Sequence, residues 1–192
     1  MARAGKAAAL LAAPLAAALP AVAADLEEKL APCLACHGVQ GQSEIENVPS
    51  LGAQPAAYTV IQLFMFREQL RVAEPMNEMA KGLSDNELQS IADTIAKQAA
   101  PKPPADPGDA ARLARARALA EQNHCNVCHR PDFSGWDNVP RLTDQREDYL
   151  LKTLREYKSG ARRGYDATMA EVLQPLDDAQ LIEFAYYLAR LR

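Results

Sequence analysis

The chain has 192 residues, a formal net charge of −4 at pH 7 and four cysteines. That charge excludes the extended basic surface on which nucleic-acid binding depends. No stretch provides the uninterrupted run of about 20 apolar residues that a membrane-spanning helix needs.

At the N-terminus, Arg3 and Lys6 precede an alanine- and leucine-rich run from Ala7 to Leu19, broken by Pro14, and Ala21-Val22-Ala23 has the A-x-A form of a signal-peptidase site. Residues 1–24 are read as a signal peptide cleaved after Ala23 or Ala24, so the mature chain is expected to be exported to the periplasm. Its removal leaves 168 of the 192 residues, enough for one ordinary domain or two small ones.

Asp25 to Ala31 reads as a short helix limited by Pro32. Directly after it comes Cys33-Leu34-Ala35-Cys36-His37. Two thiols three positions apart can each form a thioether to one vinyl group of a porphyrin, with the adjacent imidazole beneath the iron, so C-x-x-C-H is a c-type haem attachment signature. Gly38 and Gly41 are expected to turn the backbone close to the porphyrin. Val48-Pro49-Ser50-Leu51 follows, then a helix over 56–71 offering Tyr58, Ile61, Leu63, Phe64 and Leu70 for packing. A loop with Pro75 leads to Met76. Ser84-Asp85-Asn86-Glu87 has the form of a capping box opening a helix with Leu88, Ile91 and Ile95 on one face.

Residues 101–108 hold four prolines and read as a stiff, extended linker. Asp109 can cap the next helix, with Leu113, Ala116 and Leu119 on one side, leading to a second signature, Cys125-Asn126-Val127-Cys128-His129. Trp136 is expected to pack on the porphyrin edge or bond a propionate. Arg162 and Arg163 read as a solvated pair, with propionates or a partner as alternatives. Asp177 and Gln180 open a last helix with Leu181, Phe184, Leu188 and Leu191 as its buried stripe.

The halves repeat. The cysteine motifs are offset by 92 residues, the V-P-x-L segments by 91, Tyr58 and Tyr149 by 91, and Met76 and Met169 by 93. An internal duplication explains that constant order. It implies one haem per half, with both haems supplying apolar core that such small halves lack. Two of the three histidines lie in the motifs, and the third, His124, is tethered beside Cys125 and reads as a surface residue. Methionine is then the candidate for the opposite side of each iron. Met169 is the one methionine of the second half. In the first half the repeat selects Met76, seven residues before Leu83 as Met169 is before Leu176, whereas Met65 and Met79 are assigned to packing. A four-thiolate zinc site is the rival to haem, but it has no use for the two following histidines.

These motifs resemble the class I c-type cytochromes, specifically the dihaem cytochrome c4 family. The resemblance covers nearly all of the mature chain. It implies an all-α fold of two tandem cytochrome c-like domains, at residues 25–100 and 109–192, with two covalently bound haem c groups. It implies His37/Met76 and His129/Met169 as iron ligands, and the carbonyls of Pro49 and Pro140 as acceptors for the ligating histidines. Arg130 departs from the glycine expected after the second haem histidine. The function implied is a non-enzymatic periplasmic carrier of single electrons, between a quinol-oxidising complex and a terminal oxidase, with peripheral association at the membrane surface as an option. Its rivals are the cytochrome subunit of a periplasmic dehydrogenase, such as a flavin-linked sulfide oxidiser, and a haem enzyme with a displaceable ligand. Residues 25–100 carry five Lys or Arg against eleven Asp or Glu, and 101–192 fourteen against fourteen. That asymmetry gives a dipole able to orient the molecule toward a partner.

Overall fold

A computed structural model describes residues 1, 20–163, 165 and 167–191, so most of the predicted signal peptide, residues 2–19, lies outside the described residues. Among the described residues the fold is all-α, the one strand-like feature being an isolated bridge between Trp136 and Val139. The elements are α1 (Pro20–His37), α2 (Ala56–Arg67), α3 (Met76–Ala80), α4 (Asp85–Lys97), α5 (Ala110–Gln122), α6 (Cys125–His129), α7 (Glu147–Ser159), α8 (Thr168–Leu173) and α9 (Asp178–Leu188).

Local chemistry sets several of these boundaries. Ser84 and Glu87 close a full capping box at the start of α4, and Asp177 and Gln180 close another at α9. Each box satisfies backbone N–H groups that the first turn leaves without helical partners. The Asp109 carboxylate accepts from the Arg112 N–H and starts α5. Gly160, in the left-handed region, ends α7.

Two separate cores result. Leu30, Leu63, Leu88, Ile91 and Ile95 form the first, while Leu150, Leu173, Leu176, Leu181, Phe184 and their neighbours form the second. In the first lobe α2 packs on α3 and α4, and α1 on α4; in the second α7 packs on α8 and α9, and α5 on α9. The duplication is thus visible as one packing scheme used twice.

Three local expectations are corrected. Pro32 does not end the first helix, and α1 continues through it into the cysteine motif. Losing one backbone donor is tolerated there because packing against α4 holds the helix. Second, α2 stops at Arg67, and Gln69 turns the chain with a φ of 57°. Its buried face runs through Thr59, Leu63 and Phe66, so Phe64 and Leu70 are left exposed. Third, Met79 points outward while Asn77 and Ala80 occupy the buried face of α3.

The linker is pinned at both ends. The Gln42 amide bonds both the N–H and the C=O of Lys102, and the Tyr186 hydroxyl accepts from the Asp109 N–H. Between the lobes the bonds are polar and reciprocal. Gln54 Nε2 donates to the Arg141 carbonyl (2.8 Å) and its Oε1 accepts from the Arg141 N–H (3.1 Å), while Gln145 makes the same pair of bonds to Ser50 (2.8 Å each).

Lys29 on α1 is paired with Glu87 at the start of α4. The Lys29 ammonium, then the Ser84 hydroxyl and backbone N–H, hold the Glu87 carboxyl down at about 2. A depressed carboxyl stabilises the fold above its unfolded value near 4.5, and that contribution is lost as pH falls toward about 2. Glu87→Gln keeps an acceptor for the capping box but removes the charge. Its helical circular dichroism is expected to depend less on pH across that window than the wild type's; matching acid profiles would show that the ion pair contributes nothing.

Candidate haem sites

Cys33, Cys36 and His37 lie at i, i+3 and i+4 at the end of α1, so they share one helical face. Cys125, Cys128 and His129 repeat the arrangement on α6, which His124 precedes in the left-handed conformation, exposed to solvent. Both motif histidines are 5% exposed. Their Nδ1 atoms lie 2.7 Å from the Pro49 carbonyl oxygen and 3.0 Å from that of Pro140. A carbonyl only accepts, so Nδ1 carries the proton and each neutral ring keeps its lone pair on Nε2. Burial lowers the pKa of both histidines, partly offset by the proline carbonyls, which favours the neutral form. Burial likewise pushes the Cys33 and Cys125 thiols up, while Cys36 and Cys128 are exposed.

The methionines divide as geometry allows. Met76 packs against the core that also contacts Cys33, Leu51 and Leu83; Met169 packs against the one that contacts Cys125 and Leu142. Met79 is 38% exposed, and Met65 is buried in α2 without joining the Cys33 cluster. Asn77, fully buried beside Met76, donates to the Phe66 and Arg71 carbonyls and accepts from the Ala73 N–H. It ties the Met76 turn to the end of α2. Sequence reading missed it, because nothing in the repeat marks it: the corresponding position in the second half is Ala170. The Cys33 and Cys125 clusters are separate, so the four thiols do not assemble into one tetrahedral site.

Two lobes, each with a buried neutral histidine beside two cysteines and a methionine in the same core, define a two-domain c-type cytochrome. No protein-family model matches the chain. Cytochrome c4 of Thiocapsa roseopersicina is 34% identical to it, covering 83% of this chain and 86% of the relative. The thiosulfate dehydrogenase electron acceptor of Thiomonas intermedia is 31% identical, covering 90% and 84% respectively. The crystal structure of reduced cytochrome c4 from Pseudomonas stutzeri matches with a TM-score of 0.79 at 28% identity, over 88% of this chain and 98% of that one. The chain belongs to the cytochrome c4 family: it is a dihaem electron-transfer protein with two covalently bound haem c groups.

The Trp136 indole nitrogen is not left for a propionate, and Arg162 is not solvated. The Trp136 indole nitrogen donates to the Cys128 carbonyl at 2.9 Å, so its polar end is used by the protein backbone while the ring is half exposed. Arg163 is exposed, but Arg162 is only 4% exposed and bridges the lobes. Its guanidinium reaches Tyr149 and Thr153 on α7 (3.2 Å each) and, across the junction, Tyr58 (3.0 Å) and Gln62 (3.4 Å) on α2. Burial opposes ionisation of Tyr149, but Arg162 and Arg71 outweigh it and bring its pKa down to about 7; for Tyr58 burial prevails and raises it. Hydrogen bonds to a charged group are worth about 1.5–3 kcal/mol each. Arg162→Leu is therefore expected to lower the denaturant stability of the holoprotein by at least about 1.5 kcal/mol, whereas Arg163→Leu changes it little; equal effects would contradict the bridging role.

Proposed function

We propose that Cys33 and Cys36 bind one haem and Cys125 and Cys128 the other, with His37/Met76 and His129/Met169 as axial ligands and Pro49 and Pro140 orienting the histidine rings. The observation that carries this reading is the repetition of one set, cysteine pair, neutral histidine on a proline carbonyl and core methionine, in each of two lobes. The residues fit the group: both histidines keep Nε2 free of protein partners, and two thiols sit on the same helical face as each. Bound haem supplies a one-electron iron couple. The chain holds the ring orientation, limits water in the pocket and, through thioether ligation, favours a high potential.

The domains are assigned to 25–100 and 109–192, joined by 101–108, after a signal peptide at 1–24 that sends the chain to the periplasm. There it carries single electrons from a quinol-oxidising complex to a terminal oxidase. A second reading, acceptor for a periplasmic dehydrogenase, is favoured by the likeness to a relative named thiosulfate dehydrogenase electron acceptor.

The carrier reading requires both irons to be closed to external ligands. Reduced holoprotein is expected not to bind carbon monoxide at equilibrium. Met76→Ala and Met169→Ala should each open one haem, as read by absorption, and lower its potential; Met79→Ala should open neither. Ready binding by the wild type would instead mark a haem enzyme with a displaceable ligand.

A further inference from the structure

The two glutamines that join the lobes do not grip arbitrary peptides. Arg141 follows Pro140, so the Pro140 C=O and the Arg141 N–H belong to a single peptide group. One end of that group accepts from His129 Nδ1 (3.0 Å) and the other donates to Gln54 Oε1 (3.1 Å). The mirrored unit is the peptide between Pro49 and Ser50, whose carbonyl accepts from His37 Nδ1 (2.7 Å) and whose N–H donates to Gln145 Oε1 (2.8 Å). The connected groups are buried: Gln54 is 6% exposed, Gln145 5%, Ser50 2% and both histidines 5%.

We propose that Gln54 and Gln145 are positioning residues acting across the lobe boundary, each tuning the ligand histidine of the opposite lobe through one polarised peptide group. Hydrogen bonds in series strengthen one another in a buried setting. An acceptor on a peptide N–H enriches its carbonyl oxygen, which then pulls harder on the histidine Nδ1–H. The imidazole becomes a stronger donor through Nε2 and stabilises the more oxidised iron. Each glutamine amide also donates to the carbonyl of the same residue it accepts from, 2.8 Å in both cases, so the peptide is held in orientation as well as polarised. The duplication leaves one difference. Gln145 Oε1 is shared with the Arg146 N–H at 3.0 Å, whereas Gln54 is followed by Pro55, which has no N–H to share.

The inference rests on His37 and His129 being the iron ligands, and its test separates the two ideas. Gln54→Met and Gln145→Met keep the volume and remove the bonds. In holoprotein, Gln54→Met is expected to raise the midpoint potential of the second-lobe haem and shift the Nδ1–H nuclear magnetic resonance of His129, leaving the first-lobe values in place. Gln145→Met should do the reverse. Each haem is assigned to its lobe by its loss of histidine-methionine spectra in Met76→Ala or Met169→Ala. A shift in the glutamine's own lobe, equal shifts in both or none would overturn the proposal. Wild-type spectra lacking histidine ligation would instead overturn the ligand assignment. If either variant fails to fold, amide hydrogen exchange of the wild type decides: the Ser50 and Arg141 N–H groups should be protected, and exchange at the rate of open loop amides would rule the relay out.

Discussion

The hydrogen bond from each motif histidine to a proline carbonyl is the constraint on which the rest depends. It fixes the tautomer, the ring plane and the nitrogen left for a metal. To make it, a loop must return over the helix end at one height. In the first lobe the Gly41 carbonyl accepts from both the Leu51 and Gly52 N–H groups, at 2.7 and 2.9 Å. A side chain on Gly41, whose φ is 72°, would put its Cβ 2.6 Å from the Gly52 nitrogen. The second lobe reaches the same end with Gly135, where a Cβ would lie 2.4 Å from the Pro140 carbonyl carbon. In both lobes a glycine lets backbone approach backbone where the proline carbonyl must be held.

What could be read in the sequence was what local rules encode. Capping at Ser84, Asp109 and Asp177 depends on residues within one turn and is found where expected. The duplication was legible because its landmarks are rare residue types in constant order. Burial was legible only where a helix face was unambiguous. In α2 most residues are apolar, so periodicity could not show that Phe64 lies off the packed face or that Leu70 falls beyond the helix end. Arg162 failed for another reason: its partners Tyr58 and Gln62 come from the opposite lobe, a hundred residues away in the chain. Gln54 and Gln145 did carry a signal. Each stands three residues after the leucine of its V-P-x-L segment, in the same register as the landmarks around it.

Duplication has not made the lobes equal. In the first lobe one continuous helix enters the cysteine motif, while in the second α5 and α6 are separated by His124 at a φ of 55°. Arg130 occupies the position of Gly38 and takes nearly the same positive φ, 71° against 85°. A conformation that glycine adopts freely is thus imposed on an arginine, at some strain. The cations at the junction are unequal too. Arg162 is buried and reaches four side chains in two lobes, whereas Arg71, 91 residues earlier, is only partly buried, bonds Gln62, stacks over Phe66 and acts across the junction on Tyr149. Identical haems in these two settings meet different fields.

The polar character of the lobe junction follows from what it must specify. An apolar seam tolerates sliding, since dispersion and solvent exclusion have little direction. A glutamine amide bonded to both the N–H and the C=O of one residue has a single fit, and a shift of one residue would strand buried donors and acceptors at about 1–3 kcal/mol each. Four such bonds, two in each direction, therefore select one docking register over its neighbours. The selected register also sets which peptide is gripped, and in both lobes that peptide is the one on which a histidine rests. Docking and the orientation of the histidine rings are consequently linked through shared peptide groups: a change in the mutual arrangement of the lobes would release the N–H end of both peptides whose carbonyls hold the histidines.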